Sequence, residues 1–518
     1  MKQTKNSTEQ VIHDFGADIT HIYLILLFVL LPLYKQNGYA DIANAKYSVF
    51  RFLSVAFIIL CGGVFFTFET ICLKGRNIRK KPDIPLTFIL LHLLFNIVTF
   101  VFSIDRKTSF EGNGSWHMGV FSQLLILFST LLVYYYYKEK KIIWWAALFG
   151  ISTTSLLTIL NRFDIYPIDM GNKYPGFIST LGQTNWATMY VACLMGCCMG
   201  IYIYEKNKVV RGIVFVVNMI LFISLWMIGS DTAFPVMIAE FFVLLGICIR
   251  DRDLLKRYSE ILLGWGISAE ITYVAVFRLY HERFVFVDEN DAVNTLIKSH
   301  IGILIIVMAI LTYAYIFFSN KREWNSHLAV NIFTVVSILL GMSLVAGIVM
   351  MVIVTMAPEK AGPLVNIRML RFDDDWGTHR GLNWKCAVTG FMRMNPVRKI
   401  VGLGQGCFEK NIYSFEDLKD RLILMYGNFY LMVAHNEYLN MLIENGIVGC
   451  ISYMGIIITS FAKLWKNAGK TRLALMALLS LSGYVACSIF FFQHVYATTF
   501  MYLLTAMALS EIGKEAAR

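Results

Sequence analysis

The chain carries its apolar residues in blocks of about twenty, the length an α-helix needs to cross the hydrocarbon core of a bilayer. Lipid offers no hydrogen bonds to a peptide group, so a chain built this way must satisfy its backbone inside helices. About fourteen blocks fit, near residues 20–34, 50–73, 84–103, 117–137, 142–160, 186–204, 211–229, 233–249, 258–280, 300–319, 329–355, 446–466, 472–492 and 495–512, of which the first and eighth are short. Composition excludes a soluble protein: 57% of the residues are apolar and 16% charged, against about 25% charged in soluble domains. The expected fold is all-α, a polytopic membrane protein of about fourteen transmembrane helices.

A formal charge of +11 would suggest a nucleic-acid partner in a soluble chain. Here Lys and Arg sit mainly in loops between apolar blocks, where they orient the helices, so membrane lipid is the expected partner and nucleic acid is not. Alternate loops hold the clusters: Lys74, Arg76, Arg79, Lys80 and Lys81; Lys138, Lys140 and Lys141; Lys206, Lys208 and Arg211; Arg250, Arg252, Lys256 and Arg257; Lys321 and Arg322; Lys463, Lys466, Lys470 and Arg472. Those loops are expected to be cytoplasmic, with both termini, and the first apolar run reads as a retained helix rather than a signal peptide.

The longest polar stretch, from about Pro358 to Asn445, then falls outside. The chain divides into N-terminal helices (1–355), one large extracytoplasmic loop (356–445) and C-terminal helices (446–518). A loop of this length usually carries function, and its arginines suit an anionic lipid-linked substrate. Most cysteines lie inside apolar blocks, where a thiol behaves as a small hydrophobe. Cys386 and Cys407 share the outer loop, and their spacing leaves a bridge open.

Within AHNEYLNMLIENGIVG, from Ala434 to Gly449, residues Asn436, Asn440 and Glu444 recur every four and form one stripe of a polar-faced helix expected to end at Gly446 and lead directly into a span. His435 begins that helix, where an imidazole can exchange protons near neutral pH; a lone histidine would more simply cap or pack. Upstream, Arg380 and Trp384 stand four apart, and Gly402, Gly404 and Gly406 mark a tight turn whose amides could face an anion. The run Asp373, Asp374 and Asp375 reads as a solvated acidic turn, so no metal and no cofactor are expected. Glu240 and Glu270 fall in mid-helix without a visible basic partner, and His92, His117 and His494 read as structural.

Arg380, Trp384, the Gly402 to Gly406 turn, His435, Asn436, Glu444 and Gly446, in that order, resemble the C-terminal signature of the bacterial O-antigen ligase and O-antigen polymerase-like membrane glycosyltransferases. Phe102 to Asn113 and Phe177 to Tyr190, with Gly182 and Asn185, also look like that family. The resemblance implies a C-type glycosyltransferase in the cytoplasmic (inner) membrane of a bacterium. Its substrates would be a polyprenyl-diphosphate-linked glycan donor and a glycan or lipid-anchored acceptor. It further implies Arg380 as the diphosphate clamp and His435 as the base, with Asn436, Glu444 and Trp384 orienting the base or a sugar, and Arg393 and Arg398 as further basic groups near the donor.

One position departs from the pattern. Many members place an Arg after a Ser at the outer end of a middle helix, whereas this chain reads Gly229, Ser230, Asp231, Thr232. Either Arg162, Arg278 or Arg283 substitutes, or the donor head group differs. A transporter or flippase of lipid-linked saccharides would share the helix count, but it needs binding groups near the bilayer midplane rather than a polar cap.

Overall fold

The structure, a computed structural model, describes residues 2–68, 82–319 and 326–517. The basic residues from Lys74 to Lys81 and the pair Lys321 and Arg322 lie outside the described residues. Every apolar block falls on a helix. Eleven helices are long and apolar enough to cross a membrane, and Val120–Tyr136, Ala233–Cys248 and Arg472–Ser488 are shorter apolar helices. The sheet among the described residues is one short antiparallel pair, Phe177–Ile178 with Gly182–Gln183.

Two helices form the centre. Thr184–Tyr204 is enclosed along its apolar length and lies against Arg472–Ser488, almost all of which is buried. Gly196 and Gly200, four residues apart, face that partner: a Cβ on Gly196 would come within 2.6 Å of Leu479 and Ser480, and one on Gly200 within 2.6 Å of Met476. Small residues at this spacing let two helices approach closely in lipid, where packing replaces the hydrophobic effect as the drive for association.

Contacts sort the loops between two ends of the bundle. At one end Lys138 pairs with Asp14 and Arg472 with Glu139, Lys514 reaches Tyr137 O, and Arg257 donates to Glu205 O at 2.9 Å. The described basic clusters therefore gather where the first helix begins and the last one finishes. At the other end Lys35 donates to Asp169 O at 2.6 Å, Ile104 N to Leu403 O at 2.9 Å, and Arg380 Nε to Phe490 O at 3.2 Å. Residues 356–445 cap this second end.

The cap has its own small core of Leu382, Ala387, Phe408, Leu418 and Leu422, with the free thiols Cys386 and Cys407 buried beside them. It is built from the helices Trp376–Arg393, Pro396–Val401, Phe408–Ile412 and Glu416–Tyr426. The helix expected to end at Gly446 instead runs on as Glu437–Ala468, kinked where Gly446 adopts φ 68°. Glycine is required there because a Cβ would strike the Ile400 carbonyl, and because L-residues rarely adopt that φ. Gly446→Ala is expected to destabilise the protein by about 2 to 4 kcal/mol. Gly212→Ala, which points into open space, should change stability by less than about 1 kcal/mol. Denaturant melts in detergent measure both.

Candidate active site

The site lies where the cap meets the bundle. Asn436 ends the preceding loop and caps the helix Glu437–Ala468: its Oδ1 accepts from Leu439 N at 3.0 Å, and its Nδ2 donates to Ile489 O at 2.9 Å. That cap fixes His435 directly before the helix, in a left-handed conformation with φ 50°. A non-glycine residue held there is strained, and such strain concentrates at functional sites. The His435 ring lies 5.5 Å from the Phe492 ring and 6.3 Å from that of Phe491. No described side chain hydrogen bonds to its nitrogens. Burial and the nearby Arg380 charge pull its pKa down to about 4, so near pH 7 it is a neutral imidazole able to accept a proton.

Arg380 follows three successive left-handed residues, Gly377, Thr378 and His379, inside the helix Trp376–Arg393. Its Nε donates to Phe490 O at 3.2 Å and its Nη1 to Gly377 O at 2.9 Å, while the guanidinium carbon stands 5.9 Å from the Phe490 ring. No described residue takes Nη2. Burial lowers its pKa, and the carboxylate of Asp231 opposes that shift. Asp231, where the resemblance led us to expect an Arg, therefore lies within reach of this arginine's field. Trp384, one turn on, donates Nε1 to His435 O at 3.4 Å and stacks 6.3 Å from Phe490. Arg380, Trp384, His435 and Asn436 thus converge on residues 489–492.

The amides of the glycine turn are engaged within the protein. Leu403 N donates to Ile443 O at 3.2 Å and Gly404 N to Glu444 O at 2.9 Å, and the Glu444 carboxylate takes the amides of Gly406 and Phe408 together with the Asn440 side chain. Gly402, Gly404 and Gly406 all have positive φ, and a Cβ on each would meet Glu444, Ser103 or Asn113. The turn is glycine-rich so that the cap can lie against the helix. Glu444 is thereby joined to that turn.

The other expected basic groups are spread out. Arg162 is 1% exposed and donates to the carbonyls of Met227 (2.9 Å), Pro175 (2.9 Å), Val285 (3.0 Å) and Ile228. It ties three loops together through four of its five N–H groups. Arg278 is exposed beside Tyr273, and Arg283 is exposed in the loop after it. Arg393 is held by both Asp417 oxygens at 2.6 and 2.9 Å, and Arg398 by Phe102 O. Asn185 accepts from Ser230 Oγ at 2.6 Å, next to Asp231. Each residue of the acidic run has a basic partner: Asp373 with Arg371, Asp374 with Lys385 and Arg421, Asp375 with His379.

Two mid-helix acids differ in surroundings. Glu270 has a partner after all, His300 at 3.0 Å, whereas Glu240 is buried with neither oxygen hydrogen bonded. His92 bonds to Ser452 at 2.9 Å and His117 to Asn44 at 2.6 Å. The residue that sequence reasoning missed is Glu437. It is 1% exposed, and its carboxylate accepts from Tyr453, Tyr484 (2.9 Å), Ser488 (2.8 Å) and Gln493 (3.2 Å). It follows the His-Asn pair directly, which was the available signal.

Among the described residues, a bundle of apolar helices thus carries a polar cap in which a histidine without a hydrogen-bonded ring stands near a half-free arginine. The family model described as O-antigen ligase matches residues 294–454, and this supports an O-antigen ligase-like family for the chain. The matched stretch includes Arg380, Trp384, the glycine turn, His435, Asn436 and Glu444, and leaves out Arg162, Asn185, Arg278 and Arg283. No curated protein matches the chain.

Replacing Arg162 by Met leaves four carbonyls without their charged donor. The expected loss is about 3 kcal/mol or more of stability, read as a lower unfolding midpoint in detergent. Arg380→Met, whose side chain has few partners, should leave that midpoint nearly unchanged.

Proposed function

We propose that the protein transfers or polymerises glycan from a polyprenyl-diphosphate-linked donor onto an acceptor hydroxyl at the outer face of the cytoplasmic membrane. The observation that carries this reading is the pair His435 and Arg380, a neutral imidazole beside a guanidinium with an open Nη2, both held by residues 489–492. His435 takes the proton of the acceptor hydroxyl as its oxygen bonds to the anomeric carbon. The bond from that carbon to the diphosphate oxygen breaks, and the electron pair leaves with the diphosphate. Arg380 meets the charge that develops there, since a guanidinium binds phosphate in bidentate fashion and stays ionised. Charge stabilisation by arginine makes the transfer independent of divalent metal, and Asp373 and Asp374 are each paired with basic side chains.

The gathering of the described basic clusters at one end of the bundle supports the orientation. That end is cytoplasmic by the positive-inside rule, and the cap from 356 to 445 lies outside. A membrane-impermeant thiol reagent should label a cysteine introduced at Lys360 or Glu416 in intact cells; protection of both would reverse the orientation.

The two key residues should fail differently. His435→Ala is expected to keep donor affinity and lower turnover by about 10² to 10⁴, the range of a positioned base. Arg380→Lys keeps the charge but loses the fork, so donor affinity and turnover should both fall. Purified protein with a defined polyprenyl-diphosphate glycan, assayed separately for binding and transfer, decides between them. Near-normal transfer by His435→Ala would remove it as base.

Acidity gives a third readout. The free enzyme's imidazole charges only as pH falls through about 4, so kcat/KM should hold below pH 6 and drop near that value. Bound diphosphate adds negative charge beside the ring and favours its protonated form, so the acid limb of kcat should lie at higher pH than that of kcat/KM.

A further inference from the structure

At the end of the bundle where the basic clusters gather, three helices border an open groove of about 380 Å³. Tyr202 comes from Thr184–Tyr204, Lys208, Arg211 and Phe215 from Lys208–Met227, and Glu260 and Leu263 from Arg252–Tyr273. We propose that this groove binds a membrane phospholipid whose headgroup carries both a phosphate and a primary ammonium, an assignment that does not depend on the glycan-transfer reading.

Depth in the bundle follows from the helix register. Arg257 donates to Glu205 O at 2.9 Å, which sets the level at which Arg252–Tyr273 passes the end of Thr184–Tyr204. About one turn farther in, Tyr202 donates to Glu260 at 2.6 Å. Lys208–Met227 and Arg252–Tyr273 both start at this end and run the same way. The Phe215 ring lies against Gly264, where a Cβ would meet it at 3.2 Å. Phe215 follows Arg211, and Gly264 follows Glu260, by four residues. Arg211 and Glu260 therefore share one level, with Lys208 nearer the rim and apolar side chains beneath. That is the order of a phospholipid, headgroup outside and acyl chain inside.

Three charged groups here are unused. Among the described residues, neither Lys208 Nζ nor the Arg211 guanidinium has a hydrogen bond or ion pair, and no basic group pairs with Glu260. Tyr202, itself 5% exposed, holds Glu260 Oε2, and Oε1 is left without a described partner. A phosphate beside the two cations and an ammonium beside the carboxylate would satisfy all three groups. An ammonium with three N–H groups can donate to Oε1, whereas a trimethylated one cannot.

Apolar surface alone would accept any lipid tail, so it is the charges that select. The tails still need room. Glu260 and Leu263 also border a second open groove of about 420 Å³, lined by Ile310, Tyr313 and Phe317 of Ile301–Phe318. One acyl chain can therefore lie beside Phe215 and the other along Ile301–Phe318, with Leu263 between them. Lys256, four residues before Glu260, stands 5.7 Å from the Tyr313 ring and adds a cation at that rim.

The test uses the purified full chain, stripped of lipid in detergent, and three dioleoyl lipids as probes: phosphatidylethanolamine, phosphatidylcholine and phosphatidylglycerol. Native mass spectrometry follows bound lipid through a titration, and unfolding midpoints are read on the same samples. Wild type should bind phosphatidylethanolamine about tenfold more tightly than either of the others, which offer Glu260 no N–H from a cation. Glu260→Gln should bring the three lipids within about threefold of one another. Lys208→Gln combined with Arg211→Gln should weaken phosphatidylethanolamine binding by about tenfold. These two cations have no described partner to lose, so the lipid-free midpoint of that double variant should match wild type, and it decides alone if Glu260→Gln melts early. Equal binding of phosphatidylcholine and phosphatidylethanolamine by wild type overturns the assignment, and so does tighter binding of phosphatidylglycerol, which would make the groove a site for purely anionic lipid. Unchanged phosphatidylethanolamine affinity in the folded double variant overturns it as well.

Discussion

The close approach of Thr184–Tyr204 to Arg472–Ser488 supports everything at the capped end. Lipid tails are as apolar as leucine, so two helices gain little merely by hiding apolar surface from each other. They hold together where small residues let their backbones come near, and Gly196 and Gly200 provide that place. Because Arg472–Ser488 is fixed there, the segment that emerges from it, Ile489 to His494, is fixed as well. That segment gives Asn436 its acceptor, Arg380 its carbonyl and His435 its two flanking rings. A small-residue contact in the interior thus determines the geometry at the end.

Polar groups in this protein are tied in pairs across distant segments rather than left to solvent. Glu444 fastens the glycine turn, Glu437 gathers two tyrosines, a serine and a glutamine, and Arg162 joins three loops by their carbonyls. Buried polar groups of this kind are costly unless satisfied, and once satisfied they admit few alternative arrangements. Against that background the exceptions stand out. Among them the His435 ring and Arg380 Nη2 lie beside one segment, and the non-glycine residues His435, Thr378 and His379 adopt left-handed backbone there, while others such as both oxygens of Glu240 lie elsewhere.

The helices were legible in the sequence because lipid imposes one length and one kind of backbone bonding, and each apolar block indeed coils. Their limits were less so: Asn436 caps a helix that passes through Gly446 with a kink, since the glycine that looked like a terminus is needed for close contact with Ile400. Arg380, Trp384, His435 and Asn436 were legible as a set, and the structure brings them together. The surroundings of Arg162 were not legible, because the four carbonyls around it come from three separate loops that only the fold brings together. Glu437 was passed over for the opposite reason. An acid beside a histidine at the start of a helix suggests water, whereas Tyr484, Ser488 and Gln493, which bury it, come from a segment about fifty residues away in the chain. The glycine run suggested an anion cradle because sequence shows which residues permit a turn and not which groups already occupy its amides.

The segment between Phe490 and Gln493 also acts as a ruler. Three residues of fully extended chain span at most about 11 Å, and these join the carbonyl that holds Arg380 to the amide that holds Glu437. Any two groups bound at its ends meet across that interval, whatever lies behind them. On the proposed reading, a site so short would meet only the facing ends of two molecules, and the length of a product chain would have to be metered somewhere else.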